Sequence, residues 1–307
     1  MIKFISRIFL FSVFPIASLF GVFLLENGTA DPFYQRFVTP KQEALILGNS
    51  KAAQGIIPSI INDRLADIYP ANLYNYSFTV YNSPFGPAYL ESIKMKLADY
   101  DGKRCFIITV DPWSISSDIN DPNNPEKFEE NKLFLSGIKN VSSKPNLEYF
   151  FLWFDNPFYE IILMRMINQV SKLHSDGWYE TSGNMNENAV KSRRLFMIDL
   201  YTDFLKKYSY SAERFKYLQK TIDFLQTRGK VFLVRMPLHQ NLLTIEQNLD
   251  PDFGLRMGFL SQKFGVQYFD FNNSEMNWEF KDGLHMTVES AKNLSKILSN
   301  KILLSEN

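Results

Sequence analysis

Residues 44–52 read Ala44-Leu45-Ile46-Leu47-Gly48-Asn49-Ser50-Lys51-Ala52: four apolar residues, a glycine, then a polar step into a segment of helical composition. A run that is apolar at every position and only four residues long predicts a strand buried on both faces, as in a parallel sheet. The same signal recurs, more weakly at 73–76, and clearly at 105–110, 231–234 and 266–269. Helix-length amphipathic segments separate these runs, at 58–67, 86–98, 212–227, 254–263 and 287–303. Strands alternating with helices predict an α/β protein built as a three-layer, doubly wound parallel sheet.

One region breaks the rhythm. Residues 118–131 are rich in Asn, Asp, Pro and Glu, an aromatic segment follows at 149–159, then an apolar helix near 161–170 and a second polar loop at 175–188. The stretch 118–207 is therefore expected to be a cap-like insertion between the third and fourth strands of one α/β domain spanning 31–307.

The amino end carries a different signal. Lys3 and Arg7 precede an uncharged run, residues 8–25, that closes at Glu26. Such a run forms a helix of roughly 27 Å against a hydrocarbon thickness of ~30 Å. The flanking cations keep the short amino end cytoplasmic and place the rest of the chain on the other side. Residues 1–30 are thus expected to be a transmembrane signal anchor and stalk, with the main domain extracytoplasmic, periplasmic or on the cell surface. Gly28-Thr29-Ala30 offers a competing reading as a signal-peptidase site.

Composition excludes several classes. The 307 residues hold 33 Lys+Arg and 33 Asp+Glu, so nothing marks a nucleic-acid binder. A single cysteine, Cys105, and three histidines give no disulfide framework, no thiolate zinc site and no evident metal centre. No glycine-rich phosphate loop is present, and no cofactor is expected.

In a parallel sheet, ligands bind beyond the carboxyl ends of the strands. Ser50, on the turn after the first strand, would expose its hydroxyl there with its own backbone N–H beside it. Asp282-Gly283-Leu284-His285 follows the fifth strand and precedes the last helix. Asp282 could accept from Nδ1–H of His285 and fix its tautomer, leaving Nε2 to take the proton of Ser50. The order is Ser, Asp, His. Asp111, Trp113, Arg235 and His239, each after a strand end, are candidate substrate-binding residues, with structural roles as the plainer reading.

Leu47-Gly48-Asn49-Ser50 before a helix resembles the first block of SGNH/GDSL-type hydrolases, which more often read Gly-Asp-Ser, and Asp282-x-x-His285 resembles their last. The amino-terminal anchor is similar to that of envelope proteins of the alginate O-acetylation and D-alanyl transfer types. The resemblance implies a flavodoxin-like SGNH fold and a Ser-His-Asp acyl-enzyme mechanism on an acylated glycan or small acyl ester. An integral-membrane acyltransferase would be a possible partner. Those hydrolases complete an oxyanion hole with Gly after the second strand and Asn after the third. Here the chain reads Ser77-Phe78-Thr79-Val80-Tyr81-Asn82-Ser83 and Asp111-Pro112-Trp113. Asn82, Ser83 or a backbone N–H of that loop is expected to join the Ser50 N–H, since an ionised Asp111 only accepts. Loss of those donors would instead leave a degenerate domain that binds polysaccharide or docks on a membrane acyltransferase.

Overall fold

The computed structural model describes residues 1–167, 171–273 and 276–306. Five strands form the central sheet: β1 (Ala44–Leu47), β2 (Leu73–Asn75), β3 (Cys105–Thr109), β4 (Lys230–Arg235) and β5 (Gln267–Asp270). Every pairing is parallel, and the order is β2-β1-β3-β4-β5. That is the flavodoxin-like doubly wound order, with its switch point between β1 and β3. All residues of β1 and β3 are buried, as their apolar sequences require.

Helices α2 (Ser50–Gly55) and α3 (Pro58–Leu65) pack with the terminal helix, Val288–Glu306, on one face. Pro87–Lys96, Ala212–Gln226 and Phe253–Phe264 pack together on the other. The carbonyl of Asp176 takes the N–H of Asn75, so a loop from the insertion covers the β2 edge.

The insertion leaves and returns at one point. Ser116–Asp118 pairs antiparallel with Tyr208–Tyr210, so the chain between them is tied off by a short ribbon. Its parts then pack in two places. Tyr149, Phe150 and Phe154 join Phe23, Tyr34 and Phe37 in the main apolar cluster. A long helix, Glu187–Leu205, packs instead against Gln240–Leu249, where Tyr201 and Phe204 meet Leu238, Leu242 and Leu284. Neither of these two helices was expected from the sequence. The apolar helix expected near 161–170 runs from Tyr159 to Met166, and residues 168–170 lie outside the described residues.

Helix α1 (Ile2–Leu25) stands largely free of the body. It is long and apolar enough to cross a membrane, and its apolar surface is exposed along most of its length. A buried core helix is excluded by that exposure.

Candidate active site

The turn after β1 sets the first site residue. Gly48 has φ +147°, and a side chain there would run into the Thr109 hydroxyl of β3, so only glycine fits. The buried Tyr89 phenol donates to the Tyr76 carbonyl at 2.7 Å and accepts the Gly48 N–H at 3.0 Å, fastening the ends of β2 and β1. Asn49 then caps α2, its side chain accepting from the Lys51 N–H at 3.1 Å. Ser50 follows as the first helical residue, partly exposed at the carboxyl edge of the sheet.

The second part comes from the far end of the chain. Asp282 holds a compact loop in which one carboxylate oxygen accepts the N–H groups of Leu284 at 2.9 Å and His285 at 2.7 Å. Gly283, at φ +87°, lets the chain turn there against Arg194 and His239. The other Asp282 oxygen lies 2.7 Å from His285 Nδ1, and His285 Nε2 lies 2.9 Å from Ser50 Oγ. With Nδ1 donating to the carboxylate, Nε2 is left as an acceptor for the serine proton. Burial alone would raise the Asp282 carboxyl. The hydrogen bond and charge of His285, with the two backbone N–H groups, outweigh it and hold the group below its usual range. Residues 235 positions apart thus meet in the geometry their sequence contexts suggested.

The expected oxyanion donors are differently engaged. Ser83 is buried and its hydroxyl donates to the Gly48 carbonyl at 2.7 Å. The backbone N–H groups of Asn82 and Ser83 both donate to the Thr79 carbonyl. The Asn82 carboxamide oxygen accepts from the Thr79 hydroxyl, and its side chain lines a groove with Asp31, Phe33 and Lys132. This loop is a closed turn that braces the end of β1, and the Asn82 and Ser83 N–H groups and the Ser83 hydroxyl, expected as oxyanion donors, are taken up within it. Ser50 retains its own N–H, which has no intrahelical partner at that position.

Asp111 is buried and points at the nucleophile turn from the end of β3. One oxygen caps the next turn by accepting from the Ser114 N–H at 2.8 Å. The other accepts from Asn49 Nδ2 at 2.6 Å and from Lys51 Nζ at 2.8 Å. Lys51 continues to Glu246 at 2.7 Å, Glu246 to Arg235 at 3.1 Å, and Arg235 to Asp270 at 3.6 Å. Burial opposes the charge on both Asp111 and Lys51. Their mutual attraction prevails, lowering the carboxyl and, with Glu246, raising the ammonium. Asp111 and Arg235 therefore serve this buried chain of alternating charges and are not free to meet a substrate.

Trp113 is buried with its ring against Tyr201 and Phe204, a packing role in place of a sugar platform. His239 is half-buried. Its N–H donates to the Gly283 carbonyl at 3.0 Å, and Nε2 lies 2.8 Å from Arg194 Nη1. Burial, then the Arg194 charge, lowers its basicity. With Arg194, Trp278 and Glu279 it lines an open groove. Lys51, Glu246 and Arg194 carry no motif, and sequence reading missed them; Asn49 was read as part of the block around Ser50 with no role of its own. The sole available signal was the placement of Asn49 and Lys51 on either side of Ser50. Among the described residues no group of metal-ligating side chains converges.

No family model matches the sequence, and no curated protein matches it. Solved structures do resemble it in layout. Est24, a carbohydrate acetylesterase from Sinorhizobium meliloti, is 12% identical at TM-score 0.42, the match covering 86% of this chain and 99% of that one. The native M. smegmatis aryl esterase is 11% identical at TM-score 0.39, covering 85% and 98%. Est2A, an acetyl xylan esterase from Butyrivibrio proteoclasticus, is 11% identical at TM-score 0.31, covering 86% of this chain and 64% of that one.

Proposed function

We propose that the protein is a membrane-anchored, extracytoplasmic serine esterase or O-acyltransferase acting on an acylated envelope glycan or a small acyl ester. The observation that carries the reading is the unbroken line Ser50 Oγ, His285 Nε2, His285 Nδ1, Asp282 Oδ2, with spacings of 2.9 and 2.7 Å. Ser50 Oγ attacks the acyl carbonyl as its proton passes to His285 Nε2, and Asp282 stabilises the imidazolium. The tetrahedral intermediate collapses, His285 returns the proton to the departing alkoxide, and the acyl group stays on Ser50. Water or a sugar hydroxyl, deprotonated by His285, then takes the acyl group and frees the serine. Hydrolysis and transfer differ only in that acceptor.

The anchored reading gains support from Phe23 and Glu26, both buried in the body. Cleavage near Gly28-Thr29-Ala30 would remove both and open the pocket they fill.

The closed turn at Thr79–Ser83 favours a second reading. A missing oxyanion donor costs about 2.7–4 kcal/mol of transition-state stabilisation. A slow or silent domain that docks on a membrane acyltransferase would tolerate that loss. The full chain in detergent micelles, treated with a fluorophosphonate probe and an aryl acetate, separates the two. Labelling and turnover that vanish in both Ser50→Ala and His285→Ala are expected. A folded wild-type chain that is neither labelled nor active would overturn the catalytic reading.

A further inference from the structure

Helix α1 meets the rest of the protein at its carboxyl end. Phe23 is buried there, stacked on Phe150 at 4.0 Å between ring centroids and set edge-on to Phe158 at 4.9 Å. Leu19 and Val22 pack against the same apolar cluster. The Phe150 ring belongs to α-helix Leu147–Leu152, and the following helix, Tyr159–Met166, packs directly against α1.

Depth follows from length. The uncharged run 8–25 needs its whole roughly 27 Å to cross ~30 Å of hydrocarbon, so residues 19–25 sit at the outer edge of that layer. A helix packed sideways on those residues sits at the same depth. The outward surface of these two short helices is apolar: Phe151, Leu152, Tyr159, Ile162, Leu163 and Met166 are exposed, Met166 at 80%. A contiguous patch of that kind beside an aqueous surface marks an interaction site. Arg165 lines a polar groove with Asn27 and Thr29, just past the end of the span, where a long cationic side chain reaches lipid headgroups.

We propose that residues 147–166 form a second membrane contact, a platform that lies in the outer boundary of the bilayer alongside α1. The occupant of the patch is phospholipid. The body is then held at a fixed height and tilt by two contacts and does not swing on a single tether. This inference rests on the reading of α1 as a membrane anchor.

The test places a nitroxide on the full chain in phosphatidylcholine vesicles, one site at a time. Phe14→Cys reports the anchor, Leu163→Cys and Met166→Cys report the platform, and Lys292→Cys on the terminal helix reports the aqueous surface. Cys105 is buried and stays in place. Collision rates with oxygen and with a neutral nickel chelate give depth. Oxygen-to-nickel ratios at 163 and 166 several-fold above that at 292, approaching that at 14, are expected. A membrane-like ratio at 14 with aqueous ratios at both 163 and 166 would overturn the platform while leaving the anchor intact. Aqueous ratios at all four sites would overturn the anchor reading and the platform with it.

Discussion

Asn49 and Asp111 hold, in exchanged places, the two residue types that the resembled hydrolases carry before the serine and after the third strand. In this arrangement Asn49 Nδ2 donates to Asp111 at 2.6 Å. Lys51 then balances the buried carboxylate. Asp111→Asn would leave two carboxamides facing each other and Lys51 with Glu246 alone, and Asn49→Asp would crowd a third carboxylate beside Asp111 and Glu246 around one ammonium. Breaking a buried charged pair costs about 3–5 kcal/mol. The double exchange, Asn49→Asp with Asp111→Asn, restores one donor to one acceptor. Urea melts of the four proteins should therefore show a favourable coupling on the order of 0.5–3 kcal/mol. Single losses that simply add would mean that the pair does not act as a unit.

Lys281, next to Asp282, gives a second residue-scale test. Burial lowers its ammonium to about 8, and its Nζ donates to Gln54 at 2.8 Å and to Thr181. In the unfolded chain a lysine titrates near ~10.4, so between those values the unfolded state holds more protons than the folded one. The stability contribution of Lys281 must rise with pH across that window. The urea midpoint of the wild type relative to Lys281→Met should move upward from pH 8 to pH 10. A difference that stays flat or falls would contradict the lowered ammonium.

At the scale of elements, the nucleophile turn is a junction of three strands and one short helix. β1 ends at Leu47, the Gly48 carbonyl accepts from the Phe78 N–H and the Ser83 hydroxyl, and the Thr109 hydroxyl of β3 donates to the Leu47 carbonyl at 3.0 Å. With the Tyr89 phenol that takes the Gly48 N–H, these make four contacts that fix a turn six residues of α2 could not hold alone. Gly48→Ala places a methyl group against Thr109 at a φ that L-residues avoid. A loss of about 1–3 kcal/mol is expected, with a larger fractional fall in probe labelling than in folded protein, because the strain acts on the serine. Equal falls in both would assign the glycine to stability alone. Asp282 and His285 sit in a loop braced by Lys281 N–H to His285 carbonyl at 2.8 Å and by His239 N–H to Gly283 carbonyl at 3.0 Å.

For the whole molecule, the junction between α1 and the body is the feature with the widest consequence. Phe23 is 2% exposed, whereas Phe14, on the same helix, is 78% exposed. Phe23→Ala should destabilise the body by about 3–5 kcal/mol, the cost of emptying a packed aromatic site. Phe14→Ala should leave thermal unfolding in detergent unchanged. Equal melting temperatures for the two variants would show that the helix end is not part of the folded core. The same packing argues that a soluble fragment beginning near Asp31 would lack an aromatic ring its core depends on.

What the sequence determined is what depends on local chemistry and on period. Short runs at 44–47, 73–76, 105–110, 231–234 and 266–269, apolar throughout or in most positions, located the five central strands to within about one residue. Ser50, Asp282 and His285 were legible because each follows a strand or precedes a helix at the carboxyl edge of the sheet. The uncharged run 8–25 was legible for the same reason, a composition only lipid or a core can accept. Tertiary structure alone decided the partners. Asn82 and Ser83 look like donors in sequence, but their N–H groups close a turn on Thr79. Asp111 and Arg235 look like substrate ligands until Lys51 and Glu246 arrive from other elements to neutralise them. Trp113 looks like an open ring until the helix Glu187–Leu205 covers it with Tyr201 and Phe204. Polar and aromatic side chains take their roles from whatever packs beside them, and for Trp113 and Asp111 those neighbours include Tyr201 and Asn49, 88 and 62 positions away, separations that no local pattern encodes.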